Sequence, residues 1–163
     1  MARLGGLTST SFQCTLNDTP RMCRTCSIVE PCLCGSSGYT CGDAEPVLTF
    51  ICHCRDCQRS TGGPASLNVV VPRDAVELSG DGLGAHKTYA EDGGAERERW
   101  FCSRCGSPLV VLLDDLPFAV IKAGTLDDPS GLEPTQEIWT DSAHAWFHAD
   151  AERVQHARGL PSG

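Results

Sequence analysis

The sequence predicts a mainly β fold with short helical turns, and three observations support this fold class. Short runs of β-branched, aromatic and leucine residues alternate with turn residues from Glu30 onward. No long segment repeats apolar residues at positions i, i+3, i+4 and i+7, the spacing that indicates an amphipathic helix. Seven of the eleven cysteines fall into three tight clusters. A chain of 163 residues is most simply one domain.

The chain is predicted to divide into three segments. Residues 1–29 are polar and show neither a helical nor a strand period, so we predict a poorly ordered leader. Residues 30–150 contain all three cysteine clusters and the strand signals, and we predict that they form the folded domain. Residues 151–163 are predicted to be a C-terminal tail.

Seven segments of strand length carry the β signal, with turn residues such as Gly, Asp and Pro between them. In chain order these segments are residues 47–52, 67–71, 76–79, 87–90, 97–101, 109–113 and 118–122. A short helical turn is predicted over residues 55–60, because this stretch contains no Gly or Pro.

Composition and charge exclude several classes of protein. The net charge of −8 argues against a nucleic-acid-binding surface, which needs a basic stripe. The longest apolar runs, residues 67–71 and 109–113, are too short to span a membrane. The first ten residues lack the apolar segment of a signal peptide. We therefore expect a reducing cytoplasm, where clustered cysteines usually bind metal or catalyse reactions rather than form disulfides.

The cysteine clusters predict two zinc sites of different kinds. Two clusters are pairs, and together they supply four thiolates, as a closed structural zinc site requires. We call these residues the cysteine quartet: Cys32, Cys34, Cys102 and Cys105. The third cluster, the cysteine triplet, supplies only three thiolates: Cys52, Cys54 and Cys57. A zinc held by the triplet would keep a fourth position open, which is the pattern of catalytic zinc.

Local spacing explains how the triplet could share one ion. Successive side chains of an extended strand point to opposite faces, so Cys52 and Cys54 can face the ion while His53 points away. A turn after Cys54 would bring Cys57 back to the same ion. We expect His53 to pack or hydrogen-bond beside the site rather than to bind the ion. The alternative is that Cys41 or another residue closes the site, which would make both zincs structural.

Two arginines flank the triplet and are candidates for substrate binding. Arg55 and Arg59 could bind the carboxylates of glutathione, because the guanidinium group matches the geometry of a carboxylate. The alternative is that both are solvated side chains on a short helix. The sequence reveals no general base.

The cysteine motifs and several further segments resemble the glutathione-dependent formaldehyde-activating enzyme family (the GFA or CENP-V domain family), small zinc proteins with an Mss4-like β fold. The similar segments are Cys32-Leu-Cys34-Gly35, Cys52-His-Cys-Arg-Asp-Cys57, Gln58-Arg-Ser-Thr-Gly62 with Pro64, Val69-Val-Val-Pro72, Phe101-Cys-Ser-Arg-Cys-Gly-Ser-Pro108, Gly124-Thr-Leu-Asp-Asp-Pro129 and Ile138-Trp139 with Trp146. The chain differs from the family pattern at Glu137, where His is more common, at Ala65, where Phe or Tyr is common, and at Ala145, where Pro is usual.

The resemblance implies a fold, two zinc ions and a reaction class. It implies one structural zinc on the cysteine quartet and a second, catalytic zinc on the cysteine triplet. It also implies that the chain joins a thiol such as glutathione to formaldehyde, or catalyses the reverse cleavage of the carbon–sulfur bond.

Three function classes follow from these observations. The leading one is a zinc-dependent carbon–sulfur lyase or synthase whose partner is a small thiol such as glutathione. The second is a non-enzymatic, zinc-stabilised interaction module with the same fold. The third is a thiol–disulfide oxidoreductase that uses a Cys-x-x-Cys pair, which fits seven clustered cysteines less well than metal binding does.

Overall fold

A computed structural model describes residues 30–42, 44–90 and 93–160 of the chain. The predicted leader, residues 1–29, lies outside the described residues. The described part folds into two β-sheets with one short α-helix, so the predicted mainly β fold with short helical turns is confirmed, and it fits the Mss4-like class. In the described residues, no helix combines the length and the apolar character needed to cross a membrane.

The strands are short, and most of them follow the predicted segments. They are β1 (Glu30–Pro31), β2 (Ser37–Thr40), β3 (Leu48–Cys52), β4 (Ser66–Pro72), β5 (Glu77–Gly80), β6 (Leu83–Tyr89), β7 (Glu96–Cys102), β8 (Pro108–Leu113), β9 (Phe118–Lys122), β10 (Gln136–Ile138) and β11 (Val154–His156). The helical elements are α1 (Arg55–Thr61) and three 3₁₀ turns at Arg73–Ala75, Ala123–Thr125 and Thr140–Ser142.

The larger sheet has eight strands in the order β11-β10-β3-β4-β9-β8-β7-β6, and the smaller has the order β1-β2-β5. Strand β10 runs parallel to both of its neighbours, β3 and β11, whereas the other strand pairs of the described residues are antiparallel. Strand β11 lies within residues 151–163, the segment predicted to be a tail.

The start of β6 differs most from its prediction. The strand begins at Leu83 rather than at residue 87, because the whole of β6 pairs with β7, from Leu83 opposite Cys102 to Tyr89 opposite Glu96. Gly84 lies directly against the ring of Phe101, and a Cβ atom at this position would be 3.0 Å from Phe101 Cζ. A residue without a side chain therefore allows close approach here, although Gly weakens the sequence signal of a strand.

Alternation of side chains along the central strands gives the larger sheet two buried faces. In β4, Val69 and Val71 pack in one core cluster with Tyr39, whereas Val70 packs in the other cluster with Phe50. Because side chains alternate with a period of two, these clusters lie on opposite faces of the sheet. The first cluster contains Cys32 and Cys102 of the quartet, and the second contains the whole triplet. We call these surfaces the quartet face and the triplet face.

Candidate metal centres

Two similar turns form the cysteine quartet. Cys32 and Cys34 lie in the turn between β1 and β2, and Cys102 and Cys105 lie where β7 ends. Gly35 N donates to the carbonyl oxygen of Cys32 at 3.0 Å, and the amide that follows Cys105 donates equivalently to Cys102 O at 2.8 Å. The glycine that ends each turn has a φ of +73° or +79°, the left-handed region that Gly adopts without strain.

The four sulfur atoms of the quartet have the spacing of a tetrahedral thiolate site. All four Sγ atoms lie within 4.8 Å of one another. Cys32 Sγ and Cys34 Sγ are 3.6 Å apart, and Cys34 Sγ and Cys102 Sγ are 3.7 Å apart. Four sulfurs around a zinc with Zn–S bonds of about 2.3 Å would be about 3.8 Å apart. The quartet could therefore hold a metal ion, and its donor set and spacing are compatible with zinc.

Hydroxyl groups around the quartet favour the thiolate form. Ser36 Oγ lies 3.3 Å from Cys102 Sγ, and this hydrogen bond is the main reason that the pKa of Cys102 is lowered to about 5. Ser107 Oγ lies 3.2 Å from Cys105 Sγ, and its hydrogen bond lowers the pKa of Cys105. Thiolates are the form in which cysteine binds metal. The two hydroxyl groups thus favour the metal-binding form of Cys102 and Cys105, whereas burial and neighbouring thiols outweigh the hydrogen bonds of Ser36 and raise the pKa of Cys34.

The cysteine triplet is built by the end of β3 and the start of α1. Cys52 ends β3, Cys54 is the N-cap of α1, and Cys57 lies within the helix. Cys54 Sγ accepts a hydrogen bond from Cys57 N at 3.4 Å. The three Sγ atoms lie within 4.8 Å of one another, and all three residues are buried. The triplet could therefore hold a metal ion with three thiolate ligands.

Gln58 of α1 and Trp139, which follows β10, fix this loop. The buried Gln58 amide donates to His53 O at 2.6 Å and to Ser142 O at 3.0 Å, which ties α1 to the 3₁₀ turn after β10. Trp139 packs in the same core cluster as the triplet, and its backbone has a φ of +60°. A large side chain in this region is strained, and such strain persists only where the surroundings hold it. Here Trp139 N donates to Arg158 O at 2.9 Å.

The structure places Cys41 away from the triplet. Cys41 is buried in the core cluster of the quartet face, together with Cys32 and Cys102. It belongs to neither of the cysteine groups whose sulfurs meet. The alternative in which Cys41 closes the triplet is therefore wrong, because the larger sheet separates it from the triplet.

Charge within the triplet is shared unequally. The thiols of Cys52 and Cys54 hydrogen-bond to Cys57, and together with the positive charges of Lys122 and Arg99 they lower the pKa of Cys57 to about 3. The same hydrogen bonds and burial raise the pKa of Cys52. The triplet therefore already favours one thiolate in a buried position, where a negative charge is costly unless cations lie nearby.

The cations whose charges lower the pKa of Cys57 are not the predicted ones. Arg59 has a side chain that is 79% exposed and lies 3.9 Å from Asp56, and Arg55 donates to Gln58 Oε1 at 2.9 Å. By contrast, Lys122 is 6% exposed, and both it and Arg99 act on the pKa of Cys57. Sequence analysis missed both residues.

Arg99 and Lys122 reach the triplet from strands that are distant in sequence. Arg99 lies on β7 opposite Val111, a residue of the triplet face, and its Nη2 is 3.6 Å from Asp56 Oδ2 on α1. Lys122 ends β9, two residues after Val120 of the triplet face. The sequence contained a signal for the position of Lys122, because residues two apart on a strand share a face and Lys122 follows Val120 by two residues.

A buried network of hydrogen bonds around Glu137 fixes the loop that carries the triplet. His53, fully buried between two of the cysteines, has its Nε2 atom 3.0 Å from Glu137 Oε2, consistent with the expectation that it hydrogen-bonds beside the site. Glu137 is also fully buried, and its Oε1 accepts hydrogen bonds from Arg153 Nη1 at 2.9 Å and from Asp150 N at 3.2 Å. Glu137, where the family more often has His, thus connects the triplet loop to residues 150–153.

Replacing Glu137 by glutamine should destabilise the fold at neutral pH. Burial opposes its ionisation, but hydrogen bonds from His53 and Arg153 outweigh burial and lower the pKa of Glu137. Breaking such a pair costs about 3 kcal/mol. A lowered pKa gives stability that is present above the ordinary carboxyl value and is lost as the pH falls through the folded value. Urea denaturation from pH 7 to pH 3 should therefore show a wild-type advantage that shrinks below about pH 4.

The control for this variant is Glu133→Gln, the same change at an exposed carboxylate just before β10. Its free energy of unfolding should stay within about 0.5 kcal/mol of the wild type. Equal stability of Glu137→Gln and Glu133→Gln at pH 7 would contradict the role given to the network.

A cleft opens beside the triplet, with a volume of about 650 Å³. It lies between the first turn of the quartet and the strands β4 and β9. Its lining includes Leu33, Leu67 and Leu126 as apolar residues, and Ser66, Lys122 and Asp127 as polar ones. Ser66 pairs with Cys52 across β3 and β4, so the floor of the cleft is next to the triplet in the sheet.

Comparison with known proteins places the chain in a family. Residues 27–142 match the family described as glutathione-dependent formaldehyde-activating enzyme. No curated protein matches the chain. Among solved structures, the crystal structure of a Rhodobacter sphaeroides protein from a structural genomics programme is similar, with a TM-score of 0.47 and 15% sequence identity, covering 77% of this chain and 96% of that chain. Because the family match spans most of the sequence, this chain belongs to the glutathione-dependent formaldehyde-activating enzyme family.

Proposed function

We propose that this chain is a zinc-dependent carbon–sulfur lyase or synthase that joins a thiol such as glutathione to formaldehyde, with the cysteine triplet as its reaction centre. The observation that carries the proposal is the gathering of three buried cysteine sulfurs within 4.8 Å, one ligand fewer than a closed zinc site needs. The family match supports the substrates, glutathione and formaldehyde.

Two zinc ions per chain are part of the proposal. Cys32, Cys34, Cys102 and Cys105 would hold the first, whose four thiolates leave no free position and whose role is structural. Cys52, Cys54 and Cys57 would hold the second. A zinc with three protein ligands would supply an open fourth position, and its chemistry would be to favour the thiolate form of a substrate thiol. A reducing cytoplasm, which keeps these thiols available, is the proposed compartment.

The proposed reaction is an addition that needs no oxidant or reductant. A bond forms between the thiol sulfur and the carbon of formaldehyde. The π electrons of the carbonyl group move to its oxygen, which takes up one proton and becomes a hydroxyl group. The thiol loses one proton, so that atoms and charge balance. The reverse reaction breaks the same carbon–sulfur bond and releases formaldehyde and the thiol.

The chain's own contribution is to hold the thiol and to balance its charge. Three thiolates around a divalent ion leave one net negative charge, which opposes the approach of another thiolate. Lys122 and Arg99, whose positive charges already act on Cys57, would offset that repulsion. Holding the thiol beside the aldehyde makes their encounter effectively intramolecular, which lowers the barrier. The predicted role of Arg55 and Arg59 in binding glutathione carboxylates stays a proposal.

Calorimetry with zinc-loaded protein tests this function. Glutathione should bind, and S-methylglutathione should bind at least about tenfold more weakly, because a thioether cannot become a thiolate; a tenfold difference corresponds to about 1.4 kcal/mol. The methylated compound is the matched control, since it keeps both carboxylates. Equal binding of the two compounds, or no binding of either, would reject the open site and favour the non-enzymatic interaction module.

A further inference from the structure

Lys122 is a buried lysine that donates hydrogen bonds to neutral oxygen atoms. It is 6% exposed, and its Nζ donates to Ser66 Oγ at 3.0 Å and to Asn68 Oδ1 at 2.9 Å. Ser66 and Asn68 are themselves buried, and both are neutral. Among the described residues, no carboxylate lies within ion-pair distance of Lys122. Burying an ammonium group is costly; burial lowers the pKa of Lys122, and the charge of Cys57 opposes this effect.

Lys122 is also part of the surface of the cleft. An ammonium group has three N–H bonds, and two of them are used by Ser66 and Asn68. In the described part of the chain, the third has no acceptor. Because Lys122 is both buried and in the lining, it lies at the floor of the cleft rather than at its mouth. Ser66 lies beside it in the lining.

The walls of the cleft are largely apolar. Leu33, Leu67 and Leu126 contribute to them, and Leu33 is 88% exposed. The volume of about 650 Å³ lies within the range of small-molecule sites, about 300–1,000 Å³. Asp127 is exposed and also lines the cleft, which places a negative charge near its mouth.

We propose that this cleft binds a small monocarboxylate with an apolar body, with the carboxylate on Lys122 and the apolar body against Leu33, Leu67 and Leu126. A carboxylate oxygen supplies the missing hydrogen-bond acceptor, and its charge adds to that of the triplet in favouring the ammonium form of Lys122. A phosphate group fits less well, because it carries nearly two negative charges and would meet a single cation and the carboxylate of Asp127. A neutral ligand would add no negative charge beside the ammonium group.

The inference also defines a substrate class for the triplet, and this part rests on the proposed function. The floor of the cleft and the triplet share the pair Ser66 and Cys52, and the charge of Lys122 acts on Cys57. A substrate oriented by the cleft would therefore be a thiol that carries a carboxylate and an apolar group. The binding of a monocarboxylate by the cleft does not depend on thiol chemistry.

The test uses two probes without a thiol, 3-phenylpropionate and its amide, on zinc-loaded full-length protein with methyl-labelled leucines. Nuclear magnetic resonance titration should show saturable shifts of the Leu33, Leu67 and Leu126 methyl signals with the carboxylate. The amide should bind at least about tenfold more weakly, since it offers no charge-assisted hydrogen bond. Equal affinity for the two probes, or shifts that avoid these leucines, would overturn the proposal.

Lys122→Met removes the charge and keeps most of the apolar stem. A cooperative thermal transition checks that this variant folds, since the change removes the hydrogen bonds from Nζ to Ser66 and Asn68. It should bind the two probes equally, whereas the control Arg59→Met, which removes an exposed cation of α1, should keep the preference for the carboxylate. Retention of the preference in Lys122→Met would overturn the proposal.

Ala65→Phe provides a second variant that does not alter the buried network. Ala65 lines the cleft, and a phenyl ring there would take up part of its volume. Both probes should bind at least about tenfold more weakly to this variant. Undiminished binding would contradict the proposal.

Failure of glutathione to bind in calorimetry would reject the proposed function and leave these results on the cleft unaffected.

Discussion

Replacing Cys102 by serine should unfold the domain. The quartet joins the turn after β1 to the end of β7, across 68 residues between Cys34 and Cys102. A structural zinc contributes to folding directly, by about 10–16 kcal/mol in zinc-finger peptides at neutral pH. That exceeds or equals the net stability of an ordinary domain, about 5–15 kcal/mol. Circular dichroism during heating should show no cooperative thermal transition for Cys102→Ser.

The control for this variant is Cys41→Ser. Cys41 is buried on the same face of the sheet but is not one of the four sulfurs that meet. Its replacement should lower the free energy of unfolding by about 1–2 kcal/mol and leave a cooperative transition. If Cys102→Ser melted within a few degrees of Cys41→Ser, the structural role of the quartet would be wrong.

Replacing Cys54 by serine should remove one metal ion and the catalysed reaction while leaving the domain folded. Cys54 caps α1 by accepting a hydrogen bond from Cys57 N, and serine is a favoured N-cap residue, so the helix should keep its cap. The triplet would keep only two thiolates, too few for zinc at neutral pH. Elemental analysis should give about two zinc ions for the wild type and one for Cys54→Ser.

Two outcomes would contradict this account of the triplet. Retention of two zinc ions by Cys54→Ser would show that Cys54 is not a ligand. Unfolding of Cys54→Ser as complete as that of Cys102→Ser would show that the two clusters do not differ in function. A wild-type zinc content near one or zero would reject the two-site proposal itself.

The central strands of the larger sheet could be predicted because their signal is local. In β4, β8 and β9 the chain is rich in β-branched and leucine residues over strand length, and turn residues lie at the ends. Strands β1, β2, β10 and β11 were not predicted. They have two to four residues, and their conformation depends on their partners in the sheets. The sequence Gln136–Ile138 even places a glutamate in a buried strand.

The cysteine groups were also predictable, because their spacing along the chain determines which sulfurs can meet. The cations beside the triplet were not, because sheet register brings them there. Lys122 lies opposite Asn68, and Arg99 lies opposite Val111, on strands far from the triplet in sequence. Arg55 and Arg59 are near the cysteines in sequence, and both lie on α1. The side chain of Arg59 is exposed to solvent.

The hydrogen bond between His53 and Glu137 shows the same limit. The alternation of side chains around Cys52 and Cys54 predicted that His53 would point away from the ion. Its partner could not be identified, because Glu137 reaches it through the parallel pairing of β10 with β3. Long-range pairing of short strands leaves little trace in the local sequence pattern.

Exchange spectroscopy by nuclear magnetic resonance tests the central claim most directly. At equilibrium in a mixture of glutathione and formaldehyde, the rate of exchange between free glutathione and S-hydroxymethylglutathione can be measured with and without protein. We predict that zinc-loaded wild-type protein raises this rate in proportion to its concentration, and that Cys54→Ser leaves it at the uncatalysed value. A wild-type protein that carries two zinc ions and still exchanges the adduct no faster than Cys54→Ser would contradict the account.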